Sequence, residues 1–116
     1  MNYTIKNQKL TLEISSRGGE FQSIRDAQGR EYLWQGDAAT WTDRGPNLFP
    51  YIGRMTDQSY TYQGQTYHMD IHGFLPTAEL NLVEHKEEEL TLRLEDSPET
   101  ERQYPFKFVL DITWKL

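Results

Sequence analysis

The run from Phe106 to Leu116, Phe-Lys-Phe-Val-Leu-Asp-Ile-Thr-Trp-Lys-Leu, constrains this chain more than any other stretch. Phe106, Phe108, Leu110, Ile112, Trp114 and Leu116 alternate with Lys107, Asp111, Thr113 and Lys115. Successive side chains of a strand point to opposite faces, so this pattern predicts a strand with one continuous apolar face. Such a strand needs neighbours on its edges and a layer to cover it. The same period recurs upstream: Leu10, Leu12 and Ile14 oppose Lys9, Thr11 and Glu13. No convincing helical stripe interrupts the pattern. An all-β fold, an antiparallel β-sandwich, is the expectation.

Turn signals divide the strands. Gly18-Gly19 ends the first run, and Phe21 and Ile24 resume it before the turn Asp26-Ala-Gln-Gly-Arg30. Glu31–Trp34 reads as a short strand. Tyr60–Tyr67 reads as a hairpin around Gln63-Gly64. Residues 78–96 read as a second hairpin, with Leu80 and Leu82 facing inward and then Leu90, Leu92 and Leu94. Its connection, Glu84-His-Lys-Glu-Glu-Glu89, is expected to be a solvated loop. The sequence stops at Leu116 with no turn residue and no polar tail. The expectation is that residues 1–116 are the N-terminal part of a single, longer sandwich domain, incomplete as it stands. An open terminal strand is then expected to drive self-association.

Charge and composition exclude several function classes. Acidic residues outnumber basic ones 18 to 12, for a net charge of −6, so no basic stripe exists to neutralise phosphates. A nucleic-acid or anionic-membrane partner is not expected. The absence of cysteine removes disulfides and thiolate zinc sites. The first ten residues hold no apolar leader core, and no apolar run approaches the roughly 20 residues of a membrane span. A soluble cytoplasmic protein is the expectation.

Chemistry-bearing residues gather in the middle of the chain. Gln35–Tyr60 is too irregular for a strand and too aromatic for a linker, with Trp41, Pro46, Pro50 and Arg54 within it. Long structured loops of this kind either carry function or fold over an open end of a core. His68, Asp70 and His72 stand at spacing two, residue types that bind divalent metals, and His68 and Asp70 with the later His85 offer a two-histidine-one-carboxylate metal set. Side chains at that spacing on a strand lie about 7 Å apart, too far to share an ion without a bend. His85 moreover sits in the charged loop. No metal is expected.

Arg54 and His72 form a different pair. Each lies in an apolar setting with a glycine beside it, in Leu48–Met55 and Ile71–Phe74 respectively. Converging on a pocket, they would bind an oxygen-rich neutral ligand, and the imidazole would exchange a proton near neutral pH. The blander account is a hydrogen-bonded core histidine and a surface arginine whose stem lies on Phe49 or Tyr51.

At these residues the sequence resembles the aldose 1-epimerases, or galactose mutarotases, in their broad bacterial branch. The resemblance runs through Gly18–Trp41, Gly45–Met55, Tyr60–Phe74 and Tyr104–Trp114. Its most specific part is Leu48-Phe-Pro-Tyr-Ile-Gly-Arg54 followed by His72-Gly-Phe74. Leu75-Pro76 stands where many relatives have Ala-Arg, so any role of that arginine is missing. Gly19 stands where alanine is frequent, an exchange expected to be benign.

The resemblance implies a supersandwich of the galactose mutarotase-like type, longer than this chain. It implies interconversion of the α and β anomers of a hexose, without a cofactor, through acid/base opening of the ring. Arg54 then corresponds to an arginine that hydrogen-bonds sugar hydroxyls. His72 corresponds to the first of two active-site histidines, both substrate-binding and catalytic. The second histidine and the glutamate base would lie later in the family's chain. A sugar-binding module that has lost the chemistry is the alternative, and a hexose-phosphate epimerase ranks lower, with only Arg44 and Arg54 near the candidate pocket.

Overall fold

The computed structural model describes all residues, Met1–Leu116. Eight strands and one short helix follow one another along the chain. Strands β1 (Asn2–Lys6), β2 (Leu10–Ser15) and β3 (Phe21–Asp26) form an antiparallel sheet in that order. Strands β4 (Ser59–Tyr62) and β5 (Gln65–His68) form a separate hairpin. Strands β6 (Asn81–His85), β7 (Glu89–Glu95) and β8 (Val109–Lys115) form the second three-stranded antiparallel sheet.

The core lies between the two larger sheets. Ile5, Leu12 and Ile14 from the first meet Leu90, Leu92, Leu94 and Trp114 from the second, with Phe74, Leu75 and Leu80 completing the cluster. Across β1, β2 and β3 the apolar residues stand opposite one another, Ile5 to Leu12 to Ile24 and Tyr3 to Ile14 to Phe21. Phe21 and Ile24 are three apart, which would put them on opposite faces of a regular strand. A bulge in the β2–β3 pairing absorbs the odd residue and keeps both apolar groups with their partners. The Phe21 ring meets the Trp114 indole edge-on at 6.4 Å. The sandwich of the expectation is present.

It is also incomplete relative to a compact domain. The radius of gyration is 16.4 Å, where a compact chain of this length would have about 13 Å. Ile52 is 74% exposed, Trp41 67% and Val109 58%.

Three local expectations need correction. Glu31–Trp34 is not a strand: Glu31 makes a single bridge to Arg25. Its carboxylate is committed elsewhere, accepting from the Ser23 hydroxyl and from the amides of Ile24 (2.7 Å) and Leu33 (3.0 Å). Leu80 is buried as expected, but Leu82 is 47% exposed. It stands opposite the buried Leu92, yet β6 is an edge strand, and a bulge beside Leu82 turns it from the core. A helix, α1 (Pro98–Gln103), was not anticipated. Ser97 caps it by accepting from the Thr100 amide at 3.2 Å, while the Thr100 hydroxyl accepts from the Ser97 amide at 2.8 Å.

The Gln63-Gly64 hairpin forms as expected, with both residues at positive φ, 48° and 77°. The alternation of the last segment holds from Leu110 to Trp114, but the strand begins only at Val109. Phe106 and Phe108 instead join an aromatic cluster. The rings of Phe74, Tyr104 and Phe108 surround Phe49 at 5.9, 5.8 and 5.2 Å.

Candidate functional site

The segment around His72 is built by two consecutive residues in the left-handed region, His72 at φ 67° and Gly73 at φ 74°. An L residue accepts that conformation at a cost, and glycine does not. Position 73 also has no room for a side chain. A Cβ there would lie 2.1 Å from the Phe49 carbonyl oxygen and 2.6 Å from Pro50 Cδ. The close approach serves hydrogen bonding: Phe49 O accepts from the amides of Phe74 (3.0 Å) and Leu75 (3.2 Å), and the Phe49 amide donates to His72 O (3.3 Å). The two halves of the motif, Phe49–Arg54 and His72–Phe74, are thereby stitched together although Ile52 and His72 stand 20 positions apart in the sequence.

His72 is fixed by the same stitching. Its amide donates to Gly53 O at 3.1 Å, and its Nδ1 faces the carbonyl oxygen of Ile52. A carbonyl only accepts, so Nδ1 carries the proton, and Nε2 holds the lone pair of the neutral ring. The imidazole is half-buried and lines a cleft of about 500 Å³. That volume falls within the roughly 300–1,000 Å³ typical of small-molecule sites. The opposite walls come from β2, β3 and their neighbours: Ser15, Arg17, Glu20, Gln22, Asp43 and Thr77. One cation and two carboxylates leave no excess of positive charge, and hydroxyl, amide and guanidinium groups supply hydrogen bonds. Such a lining suits a neutral, oxygen-rich ligand better than a phosphate.

Two of the walls are braced. Glu20 Oε1 accepts from the amides of Arg44 (2.8 Å) and Gly45 (3.1 Å), and Asn47 donates to the carbonyls of Gly18 (3.0 Å) and Gly19 (2.7 Å). The Arg44 guanidinium donates to Gln35 O at 3.1 and 2.9 Å, which leaves it committed to holding the loop. Gly19 is not a neutral exchange for alanine in this chain. Its φ is 61°, and an added Cβ would lie 2.7 Å from the Trp114 ring. The Leu75-Pro76 pair is part of a short turn, Leu75–Thr77, with Leu75 in the core and Pro76 at the cleft.

Arg54 is exposed, takes part in none of the chain's ion pairs and is not among the residues lining the cleft. It is nonetheless tied to His72 through the backbone, since Gly53 O accepts from the His72 amide one residue away. The other histidines are elsewhere. His68 Nε2 pairs with Asp70 Oδ1 at 3.1 Å on an exposed surface, and Asp70 Oδ2 accepts from Gln103 at 3.0 Å to dock α1. His85 Nε2 donates to Thr4 O at 2.7 Å. No three of the histidine and carboxylate groups gather into a metal-binding cluster.

Arg17, Glu20, Gln22 and Asp43 were not singled out from sequence as site residues. The one available signal was the Gly18-Gly19 break directly before Glu20, which bends the chain over the cleft with both glycines at positive φ.

The family model described as aldose 1-epimerase matches residues 1–116. The plasmid-encoded protein LacX of Lactococcus lactis is 32% identical over 121 residues, a match covering all of this chain and 40% of that protein. A galactose mutarotase related enzyme from Lactobacillus acidophilus superposes with a TM-score of 0.98 at 39% identity, over all of this chain and 39% of its own. A galactose mutarotase-like protein from Lactobacillus casei gives 0.95 at 32% identity, again over all of this chain and 40% of its own. The chain thus spans about 40% of the length of the relatives it matches.

Proposed function

Because the chain belongs to the aldose 1-epimerase family, we propose that it is the N-terminal part of a single cytoplasmic domain that interconverts the α and β anomers of a hexose such as galactose or glucose. One observation carries the reading. The half-buried imidazole of His72, oriented through its Nδ1, lines a polar cleft of small-molecule size.

In this reading Nε2 of His72 faces the sugar, positions it, and supports charge developing at the ring oxygen as the C1–O bond opens. The orientation is imposed before substrate arrives, so none of the binding energy is spent on fixing the ring. Arg54, anchored beside the same backbone, supplies planar donors to sugar hydroxyls at the rim. Mutarotation also needs a base on the opposite side of the anomeric carbon. The Glu20 carboxylate is engaged by two backbone amides and is a brace rather than that base. The base and a second histidine are therefore assigned to the part of the fold that the relatives possess and this chain does not span. No cofactor is required, since proton transfer alone opens and recloses the ring.

Polarimetry of the full-length protein on α-galactose and α-glucose tests the proposal. The expected result is equilibration faster than in buffer, with the rate lost in His72→Ala. A folded protein that gives no acceleration refutes the catalytic reading. If it still gains thermal stability with hexose, the site is a sugar-binding module that lacks the chemistry.

A further inference from the structure

The loop between β3 and β4 carries Asp43 to the cleft of His72, and it is clamped on both sides of that residue. Before it, Trp41 O accepts from the Asp37 amide and from the Trp34 indole, each at 2.9 Å. Gly36, at φ 72°, lies so close to Thr42 that an added Cβ would stand 2.5 Å from the Thr42 oxygen. After it, the amides of Arg44 and Gly45 donate to Glu20 Oε1, and the Arg44 guanidinium donates to Gln35 O. Residues 42, 44 and 45 are fixed in this way, and residue 43 is held between them where the loop meets the cleft.

The polar groups of this wall divide by task. Glu20 Oε1 holds two amides. Gln22 bonds at both ends of its side-chain amide, accepting from Arg44 Nη1 at 2.5 Å and donating to Glu20 O at 3.3 Å. Those groups maintain the wall. None of the clamps runs through the Asp43 carboxylate, which lines the cleft together with the His72 imidazole.

An ionised carboxylate only accepts hydrogen bonds, and its two oxygens suit the two hydroxyls of a vicinal diol. Such charge-assisted bonds are roughly twice as strong as neutral ones. A carboxylate fixed before the ligand arrives also needs no ordering on binding. Resting on the reading of this cleft as a hexose site, we infer that Asp43 sets its specificity. Its carboxylate accepts from adjacent sugar hydroxyls, and its charge turns away sugars that are themselves anionic. Arg17 lines the same cleft with the opposite sign and tempers that selection.

Calorimetric titration of the full-length protein tests the assignment, with galactose and with galacturonate, which carries a carboxylate in place of the C6 hydroxymethyl group. Asp43→Asn keeps the shape and removes the charge. It is expected to weaken galactose binding about tenfold and to narrow the preference for galactose over galacturonate by about fivefold or more. Asp43→Glu retains the charge and should keep the preference, which separates lost charge from a disturbed loop. Arg17→Gln should widen the preference. The His72 imidazole resonance of the unmodified protein distinguishes two failures. If galactose shifts it but Asp43→Asn leaves the galactose affinity or the preference unchanged, the role of Asp43 is overturned and the hexose site stands. If galactose leaves it unmoved, the hexose site and the role of Asp43 fall together.

Discussion

Replacing Gly73 with alanine tests how the two halves of the site motif are held. At φ 74° an alanine pays about 1–2 kcal/mol for the left-handed conformation alone. The added Cβ would also sit 2.1 Å from the Phe49 oxygen and 2.4 Å from its carbonyl carbon, so the Phe49–Pro50 backbone must move. That movement strains the two hydrogen bonds Phe49 O accepts from Phe74 and Leu75, each worth about 1 kcal/mol net. The sum is about 3 kcal/mol. Gly29 supplies the control, with φ 82° and nothing within 4 Å of an added Cβ; Gly29→Ala should cost only about 1 kcal/mol. With a urea m-value of about 1.5 kcal/mol/M, the unfolding midpoint falls by about 2 M for Gly73→Ala and about 0.7 M for the control. Tryptophan fluorescence against urea reads both. Equal midpoints in the two variants would refute the claim that close approach, rather than φ alone, demands glycine at 73.

Other outcomes follow from the same structure. Phe49→Ala empties the centre of the aromatic cluster and should destabilise by about 3–5 kcal/mol, read by the same denaturation. Ser97→Ala removes the cap of α1 and should cost about 1 kcal/mol, restored in large part by Ser97→Asp. Acid should destabilise the fold through four carboxyls held below their ordinary values. Asp96 is lowered by the Lys107 ammonium, Asp111 by the Arg93 guanidinium, and Asp26 chiefly by the Arg30 amide. For Glu31 burial pushes upward, but the bonds from Ser23, Ile24 and Leu33 outweigh it. Depressed folded values favour the native state above the ordinary 4.5 of Glu31 and 3.8 of the aspartates, and this contribution is lost as pH falls from there through the folded values. Urea midpoints should therefore drop below pH 4, and a flat profile would contradict the assignment.

The sandwich was legible because burial on one face writes itself as period two, and Ile14, Leu92 and Ile112 lie where that period puts them. The hairpin at Gln63-Gly64 was legible for a local reason, a turn that needs positive φ at both positions. Glu31–Trp34 misled because the pattern is blind to side chains that bond to backbone, and the Glu31 carboxylate takes the amides a strand would have shared. The helix escaped because six residues show no stripe, although Ser97-Pro98 and an acidic first turn mark a start. For the site, motif identity pointed to His72, whereas Arg17 and Gln22 reach the same cleft only through the β2–β3 bend, and Asp43 through the loop that Glu20 braces at Arg44 and Gly45. No sequence spacing records that bend.

The account rests on a hexose entering the cleft beside His72. The chain has three histidines, and His68 and His85 sit on other parts of the surface, so imidazole resonances distinguish the site from the rest. Titrating galactose and glucose into the full-length protein to high millimolar concentration while following these three imidazoles by NMR should shift His72 saturably and leave His68 and His85 in place. An unmoved His72, or equal drift of all three, would contradict it.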